Sequence, residues 1–440
     1  MTILRQLGDA ILEEAASAQQ DTRAYVPLTV DTVPAYLTAL PAVMEILGGS
    51  THLDCVEIGD GNLNLVFIVR AQDDPAKSVI IKQALPYLRC AGDGWPLSRE
   101  RMEYEHMALA LEAEIVPELV PAVYHYDRAM SLIVMENLDR HVIMRKGLVE
   151  GITYPRFPGH MGHFLAHTLF HTSDLYLASA RKKRLVGLFS RNVELCKITE
   201  DFVFTNPYME SAENRWNPEI DDVVQRIRAH TRLKCEIAAL KDGFLTRTQS
   251  LVHGDLHTGS VMLNQEDTRI IDPEFAFFGP MGFDIGAVLG NLALAYCAHE
   301  VHSTTDDARA AYQGWLLETI RETWDTFAGE FLRLWREKNE GEATRPAFFA
   351  QCGGEDGLDI YRRQYLTGVL RDTLGYAGCK MMRRQLGIAH VYDIDCIADP
   401  KRRAVAERLA LAIGARFVLE RQYVQSIDEM LAIIKTTKEL

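Results

Sequence analysis

Residues 251–285 read LVHGDLHTGSVMLNQEDTRIIDPEFAFFGPMGFDI. Two short apolar runs, Ser250-Leu251-Val252 and Arg269-Ile270-Ile271, each end abruptly in a polar cluster. The first cluster is His253-Gly254-Asp255-Leu256-His257 and the second is Asp272-Pro273-Glu274. Runs this short, bounded by turn-forming residues, predict buried strands. An acid just past a strand end lies where scaffolds place chemistry, on a loop held by a rigid element. The set suits proton handling at Asp255 and cation binding at Asp272 and Glu274, because carboxylate oxygens are hard ligands. In an extended segment residues two apart face one side, so Asp272 and Glu274 are expected to reach one metal site. His253 and His257 are expected to be structural. Asp284 opens an apolar helix, either as its cap or as a brace for the loop before it.

Upstream, Leu53–Ile58, Leu65–Arg70 and Ser78–Lys82 predict an antiparallel meander. Gly59-Asp60-Gly61-Asn62-Leu63-Asn64 joins its first two strands. Glycines between strands let backbone amides approach phosphates, and a tight hairpin needing positive φ would use the same residues. Lys82 ends the third strand as an edge charge or as a cation aimed into a cleft. Leu97–Glu114 predicts an amphipathic helix carrying Glu103 and Glu105. These two acids point to different helix faces, so only one can pair with Lys82, and Glu103 is the expected partner. Ala122–Tyr126 and Ser131–Met135 add two strands, and Glu136-Asn137-Leu138-Asp139 ends the unit.

An N-terminal lobe is therefore expected over 1–138, with a peripheral helical extension over 1–50. A mainly helical C-terminal lobe is expected over 139–440. Its helices are predicted at Gly159–Ala180, Glu219–Lys241, Gly286–Glu300, Asp306–Asn339, Ile360–Gln385 and Arg402–Ile434. The run Arg181-Lys182-Lys183-Arg184 is expected to be a solvated helix end. Arg383 and Arg384 are adjacent on a helix and face about 100° apart, so one at most points straight into a cleft. A surface pair is the alternative.

The 440 residues leave room for two domains, or for one domain plus a lobe. A chain 48% hydrophobic and 25% charged is globular in composition, which excludes wholesale disorder. A net charge of -14 argues against a general nucleic-acid binder and suits a cytoplasmic protein. The eight cysteines form no CxxC pair, so reduced thiols are expected rather than a zinc site or a disulfide framework. Charges interrupt the apolar pattern of the first residues, unlike a signal peptide, and the longest uncharged apolar run, 285–298, is too short to span a bilayer.

A glycine hairpin, a strand lysine, a hinge, a loop aspartate and a downstream acid, in that order, resemble the protein-kinase-like fold. That fold is α+β and two-lobed, with an N-terminal antiparallel sheet lobe bearing one main helix and a larger, mainly helical C-terminal lobe. The HGDLH form resembles its small-molecule branch, the aminoglycoside phosphotransferases and choline kinases. That branch usually carries an asparagine five residues after the aspartate, where this chain has Ser260. HGDLHTGS, DPEFAFFGPMGFDIGA, the hairpin IGDGNLNLVF, Gly94-Trp95-Pro96-Leu97 and GCKMMRR…GIAH together resemble the 5-methylthioribose kinase family over residues 58–390.

The resemblance implies ATP-dependent phosphorylation of the 1-hydroxyl of methylthioribose in methionine salvage, by a cytoplasmic homodimer using ATP and Mg2+. It implies that Gly59, Gly61, Asn62 and Lys82 contact ATP. Glu136-Asn137-Leu138 would be the hinge that holds adenine through backbone groups. Asp272-Pro273-Glu274 would lie at the nucleotide, with Asp272 and Glu274 as magnesium ligands and Ser260 leaving the metal to them. Asp255 would be the base, and one of Arg383 and Arg384 would meet the substrate or the transferring phosphoryl group. The alternatives are another small-molecule kinase of this fold, acting on an aminoglycoside, choline or homoserine, and a nucleotide-binding protein without catalysis. Ser260 and the DPE triplet argue against the first, and the presence of Lys82, Asp255 and the metal acids argues against the second.

Overall fold

The computed structural model describes residues 8–17, 24–58, 63–88 and 94–438. Gly59, Gly61 and Asn62 of the glycine hairpin lie outside the described residues. The chain divides into two compact units. The first holds residues 1–140 together with 191–195 and 269–276, and the second holds 141–190, 196–268 and 277–440. A single cut after residue 138 would miss the two short segments that return to the first unit. The acidic turn at 273–275 belongs there because it packs against the main helix of that unit.

The first unit contains α1 (Asp9–Ser17), α2 (Val33–Thr38), α3 (Pro41–Ile46), β1 (Leu53–Glu57), β2 (Asn64–Ala71), β3 (Ser78–Ala84), α4 (Arg101–Ile115), β4 (Val123–Asp127) and β5 (Leu132–Glu136). Its antiparallel sheet runs β1-β2-β3-β5-β4. Side-chain alternation along β3 sorts the two faces. Val79 and Ile81, with Leu132 and Val134 of β5, pack against Leu28, Val33, Leu37, Val43 and Leu47. Residues 28–47 are therefore a core layer rather than the expected peripheral extension. Without them a face of branched aliphatic side chains would meet water, and burying each contributes about 1.5–3 kcal/mol. Ala84, Ile133 and Met135 pack on the opposite face with Met102 of α4. Lys82 shares the parity of Ile80 and Ala84, so it faces α4. Because β3 pairs with both β2 and β5, Lys82 is not an edge charge. Helix α4 begins at Arg101 rather than Leu97, whose backbone N–H donates to Pro86 O.

Beyond residue 140 the elements are β6 (Val142–Ile143), α5 (Met144–Val149), α6 (Phe157–His171), α7 (Ser179–Phe189), α8 (Val193–Phe204), α9 (Asp221–Ala229), α10 (Thr231–Thr246), β7 (Ser250–Val252), β8 (Val261–Leu263), β9 (Thr268–Ile270) and β10 (Phe277–Gly279). There follow α11 (Gly282–His302), α12 (Asp306–Glu337), α13 (Gly354–Leu386), α14 (Tyr392–Asp395), α15 (Pro400–Glu420) and α16 (Ile427–Thr436). Two predicted helices are each two. The break between α9 and α10 falls at His230, whose ring caps α10 by accepting from Leu233 N. The other break follows Glu420.

Helix α11 is buried along nearly all its length and packs on α13. A Cβ on Gly286 would lie 2.6 Å from Thr373 O, and one on Gly290 would lie 3.1 Å from Ala377 O. Only glycine lets the two backbones approach this closely. The basic run in α7 is not uniformly solvated. Lys182 is 0% exposed, and its Nζ donates to Thr172 O at 3.0 Å and Gln249 O at 2.6 Å. Burial pulls its pKa down to about 8. The described cysteines are free thiols. Among the described residues no helix is long and apolar enough to cross a membrane.

Candidate active site

In the first unit the inward face of β3 aims Lys82 at a group of acids. Lys82 Nζ donates to Glu105 Oε1 at 2.9 Å and lies 2.7 Å from Glu105 Oε2. It also donates to Asp272 Oδ1. The partner on α4 is thus Glu105 and not the expected Glu103. Glu103 lies two residues earlier on another helix face and pairs instead with Arg128 at 2.9 Å. Both acids are buried, so the rotation of α4 on the sheet makes the choice, not burial.

Asp272 adopts the left-handed region, with φ 73°. Pro273–Phe275 then forms a 3-10 turn. The extended geometry expected for this segment is absent, yet the acids still converge. One oxygen each from Glu105, Asp272 and Glu274 lies within 4.8 Å of the others. Glu274 is buried and accepts from Asn64 Nδ2 at 2.8 Å, with Arg101 Nε at 3.7 Å. Arg101 Nε also donates to Asn64 Oδ1 at 3.0 Å. Asn192 Nδ2 fastens the turn by donating to the carbonyls of Glu274 at 2.9 Å and Ala276 at 3.1 Å. Arg101 and Asn192 escaped the sequence reading. Arg101 had a signal, because it precedes Glu105 by one helical turn on the same face.

Burial pushes the Glu105 carboxyl up to about 8; Lys82 opposes the shift, and Asp272 and Glu274 add to it. Burial raises Glu274 as well. Burial works against the charge of Lys82, but Asp272, Glu105 and Glu274 outweigh it and hold its pKa above the ordinary value. Three oxygen donors that repel one another are a fit for a hard divalent cation such as Mg2+. At the end of β5, Glu136 Oε2 accepts from Ala122 N at 3.2 Å. Asn137 Nδ2 donates to Ser78 Oγ at 3.0 Å, and Leu138 is buried. The Asn137 side chain thus tethers two strand ends. Pro273 is buried within the acidic turn.

In the second unit the HGDLH loop follows β7. Asp284 braces it, accepting from His253 N at 2.6 Å and Gly254 N at 3.1 Å. His253 Nδ1 accepts from Asp255 N at 3.3 Å, and His257 Nδ1 accepts from Gly259 N at 3.0 Å. Ser260 Oγ donates to Asp255 O at 3.0 Å, so its hydroxyl closes the loop. The Asp255 carboxylate remains 24% exposed and stands in a ring of cations. Lys380 Nζ donates to its Oδ1 at 3.1 Å, Arg383 Nη2 lies 3.7 Å from the same oxygen, and His257 Nε2 lies 3.3 Å from Oδ2. Of the arginine pair, Arg383 faces Asp255, whereas Arg384 Nη1 donates to Ala389 O at 3.3 Å. Arg383 Nε is buried without a hydrogen-bond partner, a donor available to an anion.

Burial pushes the Asp255 carboxyl up, but its pairing with His257 and the charges of Lys380, Arg383 and Arg384 outweigh it and hold it well below the usual carboxylate range. His257 is itself kept neutral by burial, so the lysine and arginines supply the standing charge. Burial draws Lys380 down to about 8, against the pull of Asp255. Lys380 was missed in the sequence, although it precedes Arg383 by three residues and so shares its helix face.

Residues 54–328 match the model of the phosphotransferase enzyme family. The chain is 44% identical over 415 residues to methylthioribose kinase 1 of rice, Oryza sativa subsp. japonica, covering 93% of this chain and 95% of that one. It is 42% identical to a methylthioribose kinase of Escherichia coli, covering 93% and 98%, and 41% identical to one of Geobacillus kaustophilus, covering 95% and 99%. Similarity of this depth along nearly the whole chain decides the kinship: the protein belongs to the methylthioribose kinases of the phosphotransferase enzyme family.

Proposed function

We propose that the protein transfers the γ-phosphoryl group of ATP to the 1-hydroxyl of 5-methylthioribose, giving 5-methylthioribose 1-phosphate and ADP in methionine salvage. The observation that carries the chemistry is Asp255, held ionised inside a ring of cations. A phosphoryl acceptor needs its hydroxyl oriented and its proton received, and an ionised carboxylate does both. Because the carboxyl is so acidic, Asp255 acts chiefly by orienting the hydroxyl and takes its proton late, as the new O–P bond forms and the bond to ADP breaks. Lys380 and Arg383 hold the carboxylate in place, and Arg383 offers its buried donor to the transferring group.

On the nucleotide side Lys82, fixed by Glu105, binds phosphate oxygens together with Gly59, Gly61 and Asn62. The backbone of Glu136-Asn137-Leu138 holds adenine. Asp272 and Glu274 would hold magnesium, with Glu105 beside them; the ion supplies charge neutralisation on the β- and γ-phosphates. Arg101 and Asn64 orient the Glu274 carboxylate for that task. Catalysis is then mainly positioning and electrostatics. The family resemblance also supports a cytoplasmic homodimer.

The substrate assignment rests on the names of the relatives. It is tested by ATP turnover with methylthioribose, ribose, an aminoglycoside and choline in parallel. The expected result is the highest kcat/KM for methylthioribose. Preference for an aminoglycoside or choline would overturn the assignment, and ATP binding without turnover on any sugar would favour a non-catalytic nucleotide binder.

A further inference from the structure

Helix α6 carries histidines at 160, 163, 167 and 171, and the proposed phosphoryl transfer uses none of them. His163 and His167 are one turn apart and share a face. Helix α12 packs along α6 and brings Glu330 to that face. His163 Nδ1 lies 2.8 Å from Glu330 Oε2, and His167 Nε2 lies 3.1 Å from the same oxygen. The two rings stack with centroids 4.0 Å apart. One donor atom from each of the three residues lies within 4.8 Å of the others.

We propose that His163, His167 and Glu330 form a binding site for a transition ion of the zinc class. A tetrahedral zinc with bonds of about 2.0–2.1 Å separates its donors by about 3.3 Å, close to the spacing already present. Two imidazoles and one carboxylate favour zinc, cobalt, nickel or copper over magnesium, for which the all-oxygen cluster of the first unit is suited. The side chains of His163 and Glu330 are 33% and 29% exposed, so the ion can enter and a water can complete its coordination. The neighbouring histidines are engaged elsewhere. His160 Nδ1 bonds with Thr268 Oγ1 at 3.2 Å, and His171 Nδ1 bonds with His167 O at 2.9 Å, which steadies the turn bearing the ligands. With two ligands on α6 and one on α12, a bound ion cross-links the two helices.

The test uses the full chain without an affinity tag, with cobalt(II) and zinc as probes in excess magnesium so that the acidic cluster is occupied. The expected result is about one equivalent of cobalt bound at micromolar concentration, with the intense visible bands of a low-coordinate site. Zinc is expected to displace the cobalt and to raise the melting temperature. Glu330→Gln and His163→Gln abolish both effects yet melt like the wild type in chelator and keep its kcat. His160→Ala retains binding. Cobalt bands that survive Glu330→Gln and His163→Gln, or the absence of binding below millimolar concentration, would overturn the proposal.

Discussion

A group of carboxylates in the first unit and a single carboxylate in the second stand in opposite electrostatic settings. In the first unit Glu105, Asp272 and Glu274 crowd around Lys82 and Arg101, and burial leaves Glu105 and Glu274 less acidic than usual. In the second unit the single carboxylate of Asp255 meets Lys380 and Arg383, feels the charge of Arg384 as well, and becomes more acidic than usual. The side chains are of one chemical kind, so their surroundings assign their tasks. An excess of acid makes a nest for a cation. An excess of base keeps an acid charged and leaves positive potential for an incoming phosphoryl group.

The largest effect is expected where that contrast is erased at its centre. Asp255→Ala leaves the cations without their anion and should lower kcat by about 10³-fold or more, while ATP binds as before. Steady-state turnover and calorimetric ATP titration check this, and near-normal turnover removes Asp255 from its role. A smaller effect separates the two acids of α4. Glu105→Gln should lower kcat/KM for ATP by about 10- to 100-fold, because Lys82 loses its fixed partner. Glu103→Gln should leave kinetics intact and change stability by about 1 kcal/mol or less, since its partner Arg128 is partly exposed.

The smallest effect sharpens the second setting through pH. With its pKa drawn down to about 8, Lys380 loses its proton as pH rises past that point, and Asp255 loses its nearest cation. Wild-type kcat/KM should fall severalfold on that alkaline limb, and Lys380→Met should show a lower plateau without the limb. Stability has the opposite sign. Between about 8 and the 10.5 of a free lysine, the unfolded chain holds a proton that the folded chain has released. The contribution of Lys380 to stability therefore increases as pH rises through that window, and decreases as pH falls through it. Denaturant titrations of wild type and Lys380→Met at several pH values read the difference.

Much of this was legible in local pattern. Alternation along residues 78–84 shows a strand, and the polar clusters after residues 252 and 271 show where chemistry sits, because both signals are short-range. What escaped depends on packing. The choice of Glu105 over Glu103 is made by the rotation of α4 on the sheet, which helical periodicity does not encode. Lys380 reaches Asp255 from a helix more than a hundred residues downstream, positioned by the glycines of α11. The breaks at His230 and after Glu420 have no proline or glycine to mark them, so each helix pair read as one. The burial of Lys182 within a run of four basic residues follows from two carbonyls that only the folded chain assembles.

The left-handed backbone at Asp272 has a consequence for how this protein can change. Glycine would adopt φ 73° freely, whereas aspartate carries a strain of about 1 kcal/mol there. Without Asp272, Lys82 keeps its ion pair with Glu105, and Glu105 and Glu274 lose an acid that repels them. Asp272→Gly should thus fold at least as well as the wild type while removing an acid that the proposed metal nest requires. A library screened for heat resistance alone would drift toward that substitution, and only a screen for turnover would retain the aspartate.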